Sequence, residues 1–197
     1  MNVTGELPFR LLIGLVWTLH LVIRIHYRRK VRGMGDYVRV HARRERWLFR
    51  LFACGHYVIP FYFASPWLDF AHLPLPGSVR WPGAALAGLG LGLFTWTHAA
   101  LGRNWTAVPA LSPSHELVTR GPYRRIRHPM YASFYAIGSG YLLASANWLV
   151  GAAYLGTLSV MYVLRVDAEE RMMLARFGEG YRQHLQQTGR LWPRIGR

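Results

Sequence analysis

The most telling pattern lies in the second half of the chain, where 34 residues without a formal charge, positions 131–164, separate two polar clusters. The first cluster runs Arg120-Gly121-Pro122-Tyr123-Arg124-Arg125-Ile126-Arg127-His128-Pro129-Met130-Tyr131, the second Arg165-Val166-Asp167-Ala168-Glu169-Glu170-Arg171. At about 1.5 Å per residue a single helix of that length would measure roughly 50 Å, against a hydrocarbon core of about 30 Å. The run is therefore expected to cross a membrane twice, turning near Ser145, Ala146 and Asn147. Such a hairpin returns both ends to one surface and brings His128 and Tyr131 close to Glu169 and Glu170.

Other apolar stretches extend the picture. Residues 81–102 and 51–68 carry no charge, and a shorter run at 11–23 lies between Arg10 and Arg24, whose long stems can snorkel toward headgroups. Helices are expected at about 7–27, 47–68 and 81–101, then the hairpin, then a polar helix over 167–187. In that last helix Leu174, Phe177, Tyr181 and Leu185 share one face. Pro60 and Pro66 are expected to kink or end the second helix. Gly88 and Gly92, and the group Gly138, Ser139 and Gly140, are expected to serve close helix packing. The fold class is thus all-α: a single polytopic membrane domain over residues 1–197, with five transmembrane helices, the last two a hairpin, and a cytosolic C-terminal helix. Residues 1–101 supply three helices and 102–197 the half carrying candidate chemistry.

Composition agrees, with 52% of residues hydrophobic and 17% charged. The formal charge of +15 invites a nucleic-acid reading, but 20 of the 24 Lys and Arg fall in segments 28–46, 103–127 and 165–197. Five crossings put those segments on one side and leave Glu6, Asp69, Arg80 and Arg10 for the other. The positive-inside rule then orients the chain in the cytoplasmic membrane with its N-terminus outside and its C-terminus in the cytosol. Topology and anionic headgroups account for the charge, and nucleic acid is not needed. The N-terminus is read as a retained first helix rather than a cleaved signal, because Glu6 precedes the apolar run and positive charges follow it. Cys54 excludes an intrachain disulfide and is expected to be a small buried side chain.

Candidate chemistry concentrates at the hairpin ends. Proline at a first helical turn fixes the entry angle at no hydrogen-bond cost, and the free backbone donors of a helix start suit an anionic group. Adjacent Glu169 and Glu170 read either as part of an i, i+4 pair with Arg165 or as carboxylates for a cationic or hydroxylated cofactor, with Arg165 facing an acidic substrate. Zinc-ligand spacing is absent, and no metal is expected. His20, His26, His56 and His98, scattered along the helices, are expected to pack and to hydrogen-bond between helices.

The combination His115-Glu116-Leu117-Val118-Thr119-Arg120-Gly121-Pro122-Tyr123 and Arg127-His128-Pro129-Met130-Tyr131 resembles the isoprenylcysteine carboxyl methyltransferase and phospholipid methyltransferase superfamily. So does Arg165 through Glu169-Glu170, followed by Phe177-Gly178-Glu179-Gly180-Tyr181 and Arg190-Leu191-Trp192-Pro193. The family often has Gly two residues after the tyrosine, where this chain has the still small Ser133. The resemblance implies an integral membrane methyltransferase that uses S-adenosyl-L-methionine. It implies a cytosolic cofactor pocket formed by His115, Glu116, Leu117, Val118, Tyr123, His128, Pro129, Met130, Tyr131 and Glu169, and Glu170 is expected to bind the cofactor with them. Arg165 matches the substrate-facing position, so Arg165 and Glu169 are the expected catalytic pair. Acceptors in the superfamily are prenylated-cysteine carboxylates, phospholipid amines and small thiols, so the expected partners are a hydrophobic acceptor and membrane lipid. The alternatives are a membrane-bound NADPH-dependent reductase of the sterol-reductase type and a non-catalytic module binding anionic lipid. An anionic Glu pair suits a sulfonium better than a phosphate-rich dinucleotide.

Overall fold

Asn147 shows how the chain makes its decisive turn. Its side-chain oxygen accepts hydrogen bonds from the backbone N–H of Leu149 and Val150, both at 3.1 Å, and so caps the following helix. Its amide nitrogen donates to the Leu68 carbonyl at 2.6 Å. Ala146 just before it is left-handed, with φ 48°. The turn expected at 145–147 therefore lies where the uncharged run suggested.

A computed structural model describes residues 3–31, 38–39, 42–106, 110–111 and 115–194. Its helices are α1 (Val3–Lys30), α2 (Ala42–Ala64), α3 (Gly77–Leu101), α4 (Pro129–Ser145), α5 (Trp148–Phe177) and α6 (Glu179–Gln187). A two-residue antiparallel pairing joins β1 (Val38–Arg39) to β2 (Ala110–Leu111), with Val38 opposite Leu111. Among the described residues the rest of the chain is turns and short 3-10 segments. Most of the basic link between the first two helices, expected to run along the interface, lies outside the described residues.

By length and composition, three helices are long and apolar enough to cross a membrane, spanning Gly5–Lys30, Gly77–Asn104 and Trp148–Phe177. The expected second and fourth spans differ. Helix α2 opens on Arg43, Arg44, Glu45 and Arg46, and α4 has 17 residues, roughly 26 Å of helix.

Two further expectations change. The polar helix over 167–187 is not a separate element, because α5 runs unbroken from Trp148 through Glu170 to Phe177. A switch from apolar to polar surface leaves backbone hydrogen bonding intact, and the break comes only at Gly178, with φ 53°. Tyr181 is then buried from α6. Cys54 is exposed, since in a membrane an apolar helix face has no need to point inward.

Helices α3 and α4 form the tightest pair. A Cβ on Gly140 would lie 2.5 Å from the Ala87 nitrogen, and one on Gly83 would lie 2.8 Å from the Ala144 nitrogen. Gly138 packs against Tyr154, as expected of that group. Gly88 and Gly92, by contrast, have nothing near them among the described residues; their spacing is right but they occupy the opposite face. The common core, formed by Phe94, Ile137, Tyr141, Tyr154 and Leu158, is fully buried. His20 packs within it, with its ring 4.4 Å from Phe94 and 5.0 Å from His56. His98 bonds within its own helix, to the Phe94 carbonyl at 2.9 Å, rather than between helices.

One end of the bundle is closed by charge pairs. Arg80 makes a two-pronged bond to Glu6 at 2.6 and 2.8 Å and donates to the Ala144 carbonyl at 3.0 Å. Arg10 pairs with Asp69 and donates to the Tyr62 and Ser65 carbonyls, both at 3.1 Å. The four charged residues assigned by sequence to one side of the membrane thus meet and neutralise one another, and Arg10 does not snorkel.

Candidate active site

At the opposite end of the bundle, the loop after α3 folds back under the hairpin. Asn104 accepts the Glu116 N–H at 3.0 Å, tying residues 115–118 to the end of α3. Gly121, with φ 61°, starts the turn that carries Tyr123. The C-terminal segment then runs beside this loop. Arg127 N–H donates to the Gly189 carbonyl at 2.8 Å, and His128 N–H to the Arg190 carbonyl at 2.9 Å.

The two glutamates diverge here. Glu170 binds Arg127 at 3.0 Å, His128 at 3.2 Å and Arg190 at 2.8 Å, and Arg190 also reaches Asp167 at 2.7 Å. It fastens the C-terminal segment to the hairpin. Glu169 accepts the Tyr131 hydroxyl at 3.0 Å and lies 3.2 Å from Arg165 and 3.7 Å from His128. Arg165 in turn lies 2.9 Å from Glu45 of α2. The sequence expectation that the two hairpin ends meet is therefore realised atom by atom.

These groups surround a cavity of about 200 Å³. Of the residues expected at the site, His115, Glu116, Leu117, Val118, Tyr123, His128, Met130, Tyr131, Arg165 and Glu169 line it. Pro129 and Glu170 do not: Pro129 is buried at the first turn of α4, and Glu170 is turned toward Arg127 and Arg190. Ser133 is also buried, with its hydroxyl donating to the Met130 carbonyl at 2.6 Å, so a small residue fits there without glycine.

The wall also holds residues that the sequence reading missed. Arg24 comes from α1, Phe49 and Phe52 from α2, and Asn104 and Trp105 from the 3-10 turn that follows α3. Met172, Met173, Tyr181 and His184 join from α5 and α6. Arg24 was legible as a charge at the end of an apolar run, a placement that signals function. Glu45, behind the wall, was legible as a lone acid between Arg44 and Arg46.

Burial sets the ionisation of the loop groups. It pushes the His115 imidazole below its ordinary range, with the positive Arg176 adding to the effect. Burial also lowers His184, helped by Arg127 and His128. The Tyr123 phenol is raised by burial and then by the Glu169 charge. Two imidazoles are therefore held neutral near pH 7 and one phenol stays protonated. The cavity thus combines the Glu169 carboxylate, three arginines, neutral rings and thioethers, so it offers charged groups of both signs beside apolar surface.

The family model described as phospholipid methyltransferase matches residues 79–180, more than half of the chain. The chain belongs to that family. The nickel-cobalt-cadmium resistance protein NccN of Alcaligenes xylosoxydans xylosoxydans is 32% identical over 117 residues, 58% of this chain and 53% of that protein. The protein-S-isoprenylcysteine O-methyltransferase of Tribolium castaneum is 35% identical over 78 residues, 40% of this chain and 28% of that enzyme. A solved structure of the eukaryotic intramembrane Ras methyltransferase ICMT (isoprenylcysteine carboxyl methyltransferase) superposes with a TM-score of 0.53 at 25% identity, covering 80% of this chain and 55% of that one. The chain spans about half the length of these relatives or less. As a phospholipid methyltransferase family member with long apolar helices, it is an integral membrane protein. The matched region contains α4, α5 and all but the first two residues of α3, and so includes Tyr123, His128, Tyr131, Arg165 and Glu169. It excludes Arg24, Glu45 and Phe49.

Proposed function

We propose that this protein transfers a methyl group from S-adenosyl-L-methionine to a hydrophobic or lipid-linked acceptor at the cytosolic membrane face. The observation that carries the reading is Glu169, set in the cavity wall by the Tyr131 hydroxyl at 3.0 Å and by Arg165 at 3.2 Å.

The residues present fit such a cofactor. Glu169 offers a carboxylate for a positive centre, and Met130, Met172 and Met173 offer soft apolar surface. The buried His115 Nδ1 has no hydrogen-bond partner among the described residues. His115, Glu116, Leu117, Val118, Tyr123, His128, Met130, Tyr131 and Glu169 would hold the cofactor. When bound, S-adenosyl-L-methionine supplies a methyl group activated by its sulfonium. The chain's own task is then positioning, since displacement at carbon needs acceptor, methyl and leaving sulfur in line. Tyr131 and Arg165 fix the Glu169 carboxylate, and Arg165, held between Glu45 and Glu169, orients the acceptor. Phe52, Phe134 and Met161 of the same wall offer apolar surface to the acceptor. A carboxylate or thiolate acceptor needs no general base, whereas an ammonium must first lose its proton.

The same reading makes α2 and α4 short crossings, giving five in all, with the N-terminus outside and α6 in the cytosol. The hairpin geometry supports it, because a 30-residue α5, roughly 45 Å long, extends beyond a core of about 30 Å and carries Glu169 and Glu170 past it.

Calorimetric titration of the detergent-purified protein with S-adenosylmethionine, S-adenosylhomocysteine and NADPH tests the proposal. Both adenosyl compounds are expected to bind, and NADPH is not. Glu169→Gln is expected to weaken binding of S-adenosylmethionine by about tenfold, more than that of S-adenosylhomocysteine, whose sulfur carries no charge, at unchanged expression and mass. Binding of NADPH alone would install a reductase instead, and a folded sample binding none of the three would leave a non-catalytic lipid-binding module.

A further inference from the structure

Three arginines line the cavity, and two of them already have anionic partners. Arg127 is bonded to Glu170 at 3.0 Å, and Arg165 lies between Glu45 at 2.9 Å and Glu169 at 3.2 Å. Arg24 is different. Among the described residues its guanidinium has no carboxylate or carbonyl partner. It lies over two aromatic faces instead, 5.6 Å from the Phe49 ring centre and 5.9 Å from that of Trp105. Both rings belong to the same wall, and Trp105 is 3% exposed.

Aromatic faces orient a guanidinium but bring no net negative charge to balance it. Arg165 is near enough to add like-charge repulsion. A half-buried cation in this position is costly for the fold alone, and hydrophobic residues of similar volume would pack there at least as well. Arg24 also sits on α1, outside the region matched by the family model. A planar five-donor fork, set beside two rings and lining a cavity, matches the geometry of a carboxylate or phosphate. Phe52, Phe134 and Met161 of the same wall provide apolar surface for the body attached to such a group.

We infer that Arg24, on α1, is the residue of this cavity that binds the anionic group, a carboxylate or phosphate, of an amphiphilic methyl acceptor. The inference rests on the methyltransferase reading for the word acceptor, while the anion site rests on geometry alone.

The test titrates the full chain in nonionic detergent with myristate, tetradecyl phosphate and neutral tetradecanol, and separately with S-adenosylhomocysteine. The wild type is expected to prefer the acids over the alcohol by about tenfold or more; whichever acid binds more tightly identifies the headgroup. Acetate and inorganic phosphate, lacking the apolar body, are expected to bind far more weakly. Arg24→Met is expected to abolish the preference, with S-adenosylhomocysteine affinity within about twofold of wild type and Tm unchanged or higher, because an unpaired charge has been removed. Arg24→Lys is expected to keep part of the preference through its point charge.

An acid preference that survives in Arg24→Met overturns the inference, as does a wild type with no preference. Loss of S-adenosylhomocysteine affinity with acid preference intact would assign the guanidinium to the cofactor's own carboxylate and overturn it too. A Tm lowered in Arg24→Met and restored in Arg24→Lys would make Arg24 structural. Failure of the methyltransferase reading looks different: the wild type binds neither adenosyl compound yet still prefers acids, which leaves the anion site standing without a methyl donor.

Discussion

Glu169 and Glu170 are neighbours in sequence with opposite surroundings. Glu170 is gripped by Arg127, His128 and Arg190 with 14% of its side chain exposed, and it joins the hairpin to the C-terminal segment. Glu169 faces the cavity with Tyr131 and Arg165. Removing the Glu170 charge leaves Arg127, only 12% exposed, without its anion. Glu170→Gln is therefore expected to cost about 2 kcal/mol of stability, read as a lower Tm in detergent, while the folded fraction still binds S-adenosylhomocysteine. Glu169→Gln should show the reverse, with cofactor affinity falling more than Tm. Equal losses in both variants would mean that the pair acts as one structural unit. The resemblance singled out Glu169, but periodicity alone left the two inseparable, because adjacency in a helix sets them about 100° apart without saying which direction is cavity and which is clasp.

Among the elements, the hairpin was the most legible, because an uncharged run too long for one crossing leaves two helices as the simple solution and Asn147 is a ready cap. The extent of α5 was less so. Its polar third, carrying Glu169 and Glu170, consists mostly of helix formers, and only Gly178 supplies a conformation that ends it. The glycine stripes expose a second limit. Gly88 and Gly92 have the spacing of a packing motif, yet Gly83, Ala87 and Gly90 make the contact with α4. Spacing identifies a face but not its partner, which depends on where the neighbouring helix lies. Gly140→Ala would press a methyl 2.5 Å from the Ala87 backbone nitrogen, an overlap that backbone cannot relieve cheaply, and is expected to cost about 1–3 kcal/mol. Gly88→Ala, with open space around it, is expected to be neutral or to stabilise by up to about 1 kcal/mol through helix propensity. Tm values of the two variants side by side check the assignment, and a larger loss from Gly88→Ala would indicate a helix neighbour on that face.

Across the whole molecule, charge is distributed between two ends that do different work. At one end Glu6, Arg80, Arg10 and Asp69 cancel in pairs, so the formal +15 resides entirely in the remaining charges. At the other end three acids are drawn inward, Glu45 and Glu169 to Arg165 and Glu170 to Arg127 and Arg190, while Asp167 and Glu179 stay exposed. Exposed cations such as Arg124, Arg125 and Arg171 are left around them. A neutral end translocates easily and a basic end is retained beside anionic lipid, which is the physical content of the proposed orientation. The single native cysteine makes this testable. In a Cys54→Ala background, Pro76→Cys at the neutral end and Glu179→Cys at the start of α6 give two exposed reporters at opposite ends of the bundle. A membrane-impermeant maleimide applied to intact cells is expected to label position 76 at once and position 179 only after permeabilisation. The opposite pattern would put the cavity outside, away from the cytosolic supply of methyl donor. Labelling of both in intact cells would mean an even number of crossings between them, and α4 or the α5 span would then have to lie along the surface rather than through the bilayer.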